Sequence, residues 1–286
     1  MLGSSGMIGH QVYNLLQSKN EFILFDLCST NKLSEETILV DVRDFDLLTS
    51  TIKEIQPNII INCVGTLIRE SEENPELAIY TNSLLPYQLK KLADEIDCRL
   101  IHMSTDCVFS GNKVDPLKPY IETDLKDGYD VYAKTKGLGE VFSKTHLTIR
   151  TSVVGPELRE EGEQLFNWFM KQTKEVQGFA DAIWSGVTSL ELAKAVYWLI
   201  EAEVVGLYQV TNGKPISKNK LLTFFKDSTK KDIKIKPLKG ININKHFIDT
   251  RKLLDYKIPE YEDMISEMIT DIVDNPLRYP HYNIAP

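Results

Sequence analysis

The chain is poor in the features that mark membrane, metal and nucleic-acid proteins. No apolar run approaches the ~20 residues of a membrane span. Residues 1–10 lack the charged segment that opens a secretory leader, so a cytoplasmic location is expected. The four cysteines, Cys28, Cys63, Cys98 and Cys107, form no CxxC pair and keep no ligand spacing from a histidine. This excludes the usual zinc modules and points to thiols in a reducing compartment. The five histidines are scattered, so no catalytic metal is expected. Positive charge is scarce as well: 33 Lys and Arg face 41 Asp and Glu, for a net charge of -8. A nucleic-acid binder needs a basic face, and this balance argues against one. A phosphorylated small molecule stays compatible, because one turn and a basic residue or two can hold it.

What is present is a globular composition. With 286 residues and 42% hydrophobic content, the chain can build one large domain, or a main domain with a smaller companion. Short apolar runs rich in Ile, Val and Leu recur at 21–26, 37–42, 57–65, 99–105 and 147–155. Such runs suit parallel strands buried on both faces. Amphipathic stretches at 7–19, 44–55, 75–96 and 130–145 alternate with them. The alternation predicts an α/β fold of Rossmann type, a doubly wound parallel sheet with helices on both sides. Residues 1–155 form the expected dinucleotide-binding domain, and 156–286 a smaller, mainly substrate-binding α/β region with segments returning to the sheet. In that second part, helices are expected at 162–174, 188–201, 217–228 and 260–273, and strands at 206–210 and 231–239. Ser217 and Thr188 are candidate N-caps. The acidic stretch 69–76 reads as a solvated loop and helix start, and the Pro-rich tail as irregular.

The opening "MLGSSGMIGH" carries Gly3, Gly6 and Gly9 at phosphate-turn spacing. Gly3 permits the tight turn, Gly6 lets the backbone approach a pyrophosphate, and Gly9 lets the helix pack closely on the sheet. Met7 and Ile8 then supply amides at the positive end of the helix. Asp26, about 20 residues on, stands where this fingerprint places the acid that binds a ribose hydroxyl, which leans the expected cofactor toward NADH. Asp41 and Val42 end the next strand and would border an adenine. Cys63, Val64 and Gly65 end the one after, with side chains small enough for a cofactor to cross the sheet edge. Only Met1 and Leu2 precede the turn, where a strand of ~5–6 residues is normal. The reading therefore expects the natural start to lie upstream.

"STDCVFSG" at 104–111 closes a buried strand, and "YAKTK" at 132–136 lies in the helical pattern that follows. Tyr132 and Lys136 are four apart and share a helix face. A free tyrosine titrates near 10, so a neighbouring ammonium would favour proton exchange with a substrate oxygen. Thr105 would hold that oxygen, and Lys136 would bond the cofactor ribose. Ser104 competes with Thr105, and alternation allows only one of them to face the site.

"GSSGMIG", "STDCVFSG", "YAKTKGLGE" and "IRTSVVG", in this order, resemble the extended short-chain dehydrogenase/reductases, and within them the dTDP-4-dehydrorhamnose reductase group. The likeness covers residues 1–215 well and the rest loosely. It implies Thr105, Tyr132 and Lys136 as the catalytic triad, with Lys136 lowering the Tyr132 pKa. It also implies NADPH or NADH as hydride donor and a nucleotide-linked 4-keto sugar as substrate. The substrate contacts it suggests are Thr105, Asp106, Val154, Trp184 and Arg251, with Arg150 and Arg251 as candidate diphosphate partners. A homodimer is among the expected assemblies. Cys107, Ser110 and Val153 stand where the group has Tyr, Asp and Trp, which points to a related nucleotide sugar. The rival readings are an epimerase or dehydratase of the same superfamily, and a non-catalytic regulatory subunit on this scaffold.

Overall fold

The structure, a computed structural model, describes residues 1–29, 33–113, 115, 117–253 and 256–284. Its centre is a parallel sheet built from β1 (Leu27–Cys28), β2 (Ile38–Leu39), β3 (Ile59–Asn62), β4 (Arg99–Thr105) and β5 (Leu147–Thr151). Four further strands follow: β6 (Val153–Val154), β7 (Lys174–Phe179), β8 (Ala182–Trp184) and β9 (Val187–Thr188). Then β10 (Gly206–Val210) returns to the sheet beside β5. The spatial order is β2, β1, Leu2, β3, β4, β5, β10, all parallel. This is the doubly wound architecture expected from the alternating pattern.

The first strand is reduced to one rung. Leu2 bridges Leu27 on one side and Asn62 on the other. Its amide donates to the Ile61 carbonyl at 2.8 Å, and its carbonyl accepts from Cys63 at 3.0 Å. Gly3 N donates to the Leu27 carbonyl at 3.1 Å, so the backbone groups flanking this rung are paired.

Helices cover both faces. On one side α1 (Met7–Gln17) lies against the sheet, and on the other α2 (Phe45–Ile55). Adjacent strand residues divide accordingly. Ile60 and Leu100 pack with Leu48 and Ile52 of α2, while Ile61 and Ile101 join Val12 and Leu16 of α1. Two short helices, α3 (Ile68–Glu73) and α4 (Pro75–Ala78), lead into a π-helical turn at Ile79–Leu84 and then α5 (Leu85–Glu95). After β4 come a 3₁₀ turn, Asp106–Val108, and α6 (Val131–Leu138). The remaining helices are α7 (Leu165–Lys171), α8 (Ser189–Glu201), α9 (Lys218–Thr229) and α10 (Tyr261–Asp274). Strands β11 (Ile216–Ser217) and β13 (Ile243–Asn244) flank β8, and β12 (Ile233–Leu238) pairs parallel with β7. Among the described residues no helix is long and apolar enough to cross a membrane.

Several boundaries differ from the sequence reading, each for a local reason. The strand expected at 21–26 forms instead at Leu27–Cys28, because these are the residues level with Leu2 and Ile38. The helix expected over 75–96 is interrupted by the π turn, which turns Asn82 inward. The helix expected over 130–145 stops at Leu138, where Gly139 closes on the Asn82 carbonyl without room for a Cβ. The helix expected at 162–174 ends at Lys171, and the missed strand β7 follows. The expected caps form: Thr188 accepts from Glu191 N at 3.2 Å and Ser217 from Lys220 N at 3.1 Å.

Candidate active site

The glycine turn sits at the C-terminal edge of the sheet beside the ends of β3 and β4, where a doubly wound sheet places its ligand cleft. Gly3 has φ +73°, and a Cβ there would lie 3.0 Å from the backbone of Cys63 and Val64. The turn therefore lies directly on the end of β3, and Cys63, Val64 and Gly65 stand beside it as expected. At Gly9 a Cβ would collide with the Gly3 carbonyl oxygen, so α1 seats tightly behind the turn. At Gly6, the N-cap of α1, a Cβ would meet nothing nearer than 3.5 Å. An open space over an N-terminal turn, with the amides of Met7 and Ile8 beyond it, fits a pyrophosphate. The Cys63 thiol is pushed up to about 12 by burial, which makes it an inert wall.

Lys136 extends this cleft toward the reacting groups. Its ammonium donates to the Met103 carbonyl at 2.6 Å. A Cβ on Gly65 would come within 3.7 Å of the same nitrogen, so Lys136 borders the end of β3. Burial lowers its pKa to about 8, with Glu140 and Cys63 opposing the shift. Thr105 ends β4, and its hydroxyl faces the Tyr132 phenol, a contact that pulls the phenol's pKa down. Burial outweighs that pull, and Cys107, Asp106 and Asp130 add to the rise, so the phenol stays protonated well above neutrality. The expectation that Lys136 depresses the Tyr132 pKa is therefore corrected. One donor of the ammonium goes to Met103, while burial and negative groups raise the phenol.

Strand alternation separates the two hydroxyls. Ser104 donates to Glu140 Oε1 at 2.8 Å on the opposite side, leaving Thr105 to the cleft. Asp106 lies buried at the mouth, in reach of Thr105 Oγ1 at 3.3 Å.

Other expected site residues are placed elsewhere. Asp26 is buried, and accepts from Ser4 Oγ and Thr37 Oγ1, each at 2.9 Å. The strand runs two residues past it, so Oδ2 of its carboxylate braces the glycine turn and Thr37 from a buried position and does not stand at an exposed strand end. Residues 30–32, just beyond, lie outside the described residues. Asp41 is paired with Arg43, at 2.9 Å to its Nε, on the exposed end of β2. The carbonyl of Val42 accepts from Tyr80 at 2.7 Å while its side chain packs with α2 and α5. Val154 is buried in the core, with Val153 packed against the same cluster. Trp184 is core too, its Nε1 donating to Ser152 Oγ at 2.7 Å and its ring 5.6 Å from that of Tyr261. Arg150 is wholly buried, gripping Glu140 through two bonds of 2.8 Å, and is not a diphosphate partner. Arg251 donates to the carbonyls of Val205 and Leu207 at 2.8 and 2.7 Å. Those carbonyls face the free edge of β10 at its N-terminal end, so Arg251 caps that edge, at the opposite end of the sheet from Thr105.

Two residues of the site escaped the sequence reading. Asn82 is fully buried, accepts from Thr66 N at 2.9 Å, and donates to Thr66 O and to Thr135 Oγ1. It ties the end of β3 to the helix that bears Tyr132 and Lys136. Lys245, just after β13, sends its ammonium to the Cys107 thiol. Neither has a local pattern to betray it. Among the described residues no cluster suited to a metal occurs.

Comparison with known proteins gives the family. The family described as "RmlD substrate binding domain" matches residues 1–247. The chain belongs to this family. Among RmlD-type relatives, the dTDP-4-dehydrorhamnose reductase of Escherichia coli (strain K12) is 31% identical over 159 residues, 54% of this chain and 50% of that protein. The Shigella flexneri enzyme of the same name is 27% identical over 223 residues, 74% of this chain and 72% of its own. A solved dTDP-4-dehydrorhamnose reductase from Bacillus anthracis, in complex with NADP, superposes with TM-score 0.78 at 20% identity, covering 94% of this chain and 97% of that one. At that identity the likeness speaks for the fold alone.

Proposed function

We infer that this RmlD-family protein reduces the 4-keto group of a nucleotide-linked 6-deoxy sugar with NADPH or NADH, as dTDP-4-dehydrorhamnose reductases do. The observation that carries the reading is the meeting of the Thr105 hydroxyl with a protonated Tyr132 phenol at the C-terminal sheet edge, next to a turn open to a pyrophosphate. Gly3, Gly6 and the first amides of α1 would hold the diphosphate, and Lys136, beside Gly65, would reach the nicotinamide ribose. When bound, the nicotinamide supplies a hydride to the carbonyl carbon. Thr105 holds the carbonyl oxygen by its hydroxyl. Tyr132 gives that oxygen its proton, and its raised pKa keeps the donor loaded at neutral pH. Lys136, with a pKa near 8, can return a proton to the phenolate. The free thiols Cys63, Cys98 and Cys107 support a cytoplasmic setting.

Purified protein with a dTDP-linked 4-keto-6-deoxy sugar should consume reduced nicotinamide. Tyr132→Phe should cut kcat/KM by roughly 10²–10⁴ while leaving cofactor affinity in place. Conversion of the sugar without net cofactor consumption would instead make the protein an epimerase.

A further inference from the structure

Three separate segments converge on Cys107. The first is the end of β4, where Thr105 Oγ1 accepts from Cys107 N at 3.1 Å and so sets the 3₁₀ turn. The second is the start of α6, capped by Asp130, which accepts from Ala133 N at 2.6 Å. The third is the stretch after β13, where Asn244 N donates to the Gly111 carbonyl at 2.9 Å and Lys245 N to the Ile183 carbonyl at 3.1 Å. The lysine stem passes over Gly111. That glycine has φ +81°, and a Cβ on it would sit 3.2 Å from Lys245 Cγ and 2.5 Å from Ile243 Cγ2. The clearance lets the ammonium reach the Cys107 thiol, which also neighbours Thr105 and Tyr132. Burial opposes this ammonium, yet Cys107, Asp106 and Asp130 more than compensate and keep it charged. Among the described residues no carboxylate comes within ion-pair distance of it. At least two of its three N–H donors thus remain for a ligand.

The carbonyl oxygen of a substrate belongs between Thr105 and Tyr132. An oxygen on the ring carbon next to that carbonyl would stand beside it, and the Lys245 ammonium borders the same pair of side chains through Cys107. We propose that Lys245 is a substrate-positioning residue whose ammonium donates a hydrogen bond to the sugar hydroxyl adjacent to the reacting carbonyl, with Cys107 as the small wall that leaves it room. Lys245 thereby selects sugars that carry a hydroxyl at that carbon. The inference rests on the reductase reading above.

The test compares a 4-keto nucleotide sugar with its analogue deoxygenated beside the carbonyl, in wild type, Lys245→Met and Lys245→Arg. Wild type should prefer the hydroxylated sugar by roughly 10- to 100-fold in kcat/KM, the worth of a hydrogen bond to a charged donor. Lys245→Met should lose that preference to within a few-fold while binding NADPH and melting as wild type does. Lys245→Arg should keep part of it. The assignment is overturned if Lys245→Met retains the full preference. It is equally overturned if that variant instead loses affinity for the nucleoside diphosphate alone, which would put the ammonium on the diphosphate. If wild type reduces neither sugar, the reductase reading fails by itself. Calorimetric binding of the same two sugars then decides the lysine's role, with the same loss of preference in Kd expected for Lys245→Met.

Discussion

The imidazole of His10 and the phenol of Tyr279 meet at 2.8 Å, although 269 positions separate them in the chain. The other ring nitrogen of His10 is bound to the Gly6 carbonyl, also at 2.8 Å. Gln11 donates to the same phenol at 2.7 Å. The C-terminal segment is thereby fastened to the back of the glycine turn.

This fastening should make stability depend on pH. Burial, helped by Arg278, lowers the His10 pKa to about 4, against the Gly6 bond that raises it. The folded protein therefore holds His10 neutral where the unfolded chain, titrating near 6.5, begins to protonate it. The contribution is fully present above about pH 6.5 and is lost as pH falls toward 4, on the order of 3 kcal/mol in all. Urea unfolding across this window should give a falling stability in wild type and a flatter curve in His10→Gln. Equal slopes would remove His10 from the account.

The two inner glycines of the turn should fail in different ways. Gly9→Ala drives a Cβ into the Gly3 carbonyl, a backbone atom that cannot step aside, and overpacking of this kind costs about 1–3 kcal/mol. Gly6→Ala meets only one atom, at 3.5 Å, but fills the space over the helix end. Melting and cofactor titration together should find Gly9→Ala destabilised and Gly6→Ala stable with weakened cofactor binding. A Gly6→Ala protein that binds cofactor normally would move the pyrophosphate elsewhere.

The buried pair behind the site should be intolerant of half-removal. Glu140 meets Arg150 at 2.8 Å twice over, Lys126 at 3.2 Å and Ser104 at 2.8 Å, and these partners hold its pKa down despite burial. Glu140→Gln leaves the Arg150 charge uncompensated and should cost about 3–5 kcal/mol. A joint Glu140→Leu and Arg150→Met change should recover much of that loss in denaturant titrations. If the single and double variants prove equally unstable, the charges are not what matters there.

How much of this was legible in the residues follows from how local each signal is. The bounds of β4 and β10 match the sequence reading, because a short segment rich in apolar residues is a property of adjacent positions. Thr105, Tyr132 and Lys136 can be proposed from local signals too, each sitting in a short motif at a strand end or helix start. Arg251 could not be placed, because its partners are carbonyls on a strand edge whose existence depends on the whole sheet order. Asp26 was misassigned by a two-residue shift of its strand, which exchanged an exposed strand end for a buried brace. Lys245 left no trace near Cys107 in the chain, and only the return of β13 beside β8 brings them together.

The single rung at Leu2 divides the labour of the sheet. On one side β1 and β2 form a small plate of two short strands. On the other, the larger plate from β3 to β10 carries Thr105 and braces Lys136 through Met103. Yet one buried cluster, with Leu27 and Val40 from the first plate and Ile60 and Leu100 from the second packed on Leu48 of α2, runs beneath both, so shared packing and not strand length holds the sheet together at its thinnest point.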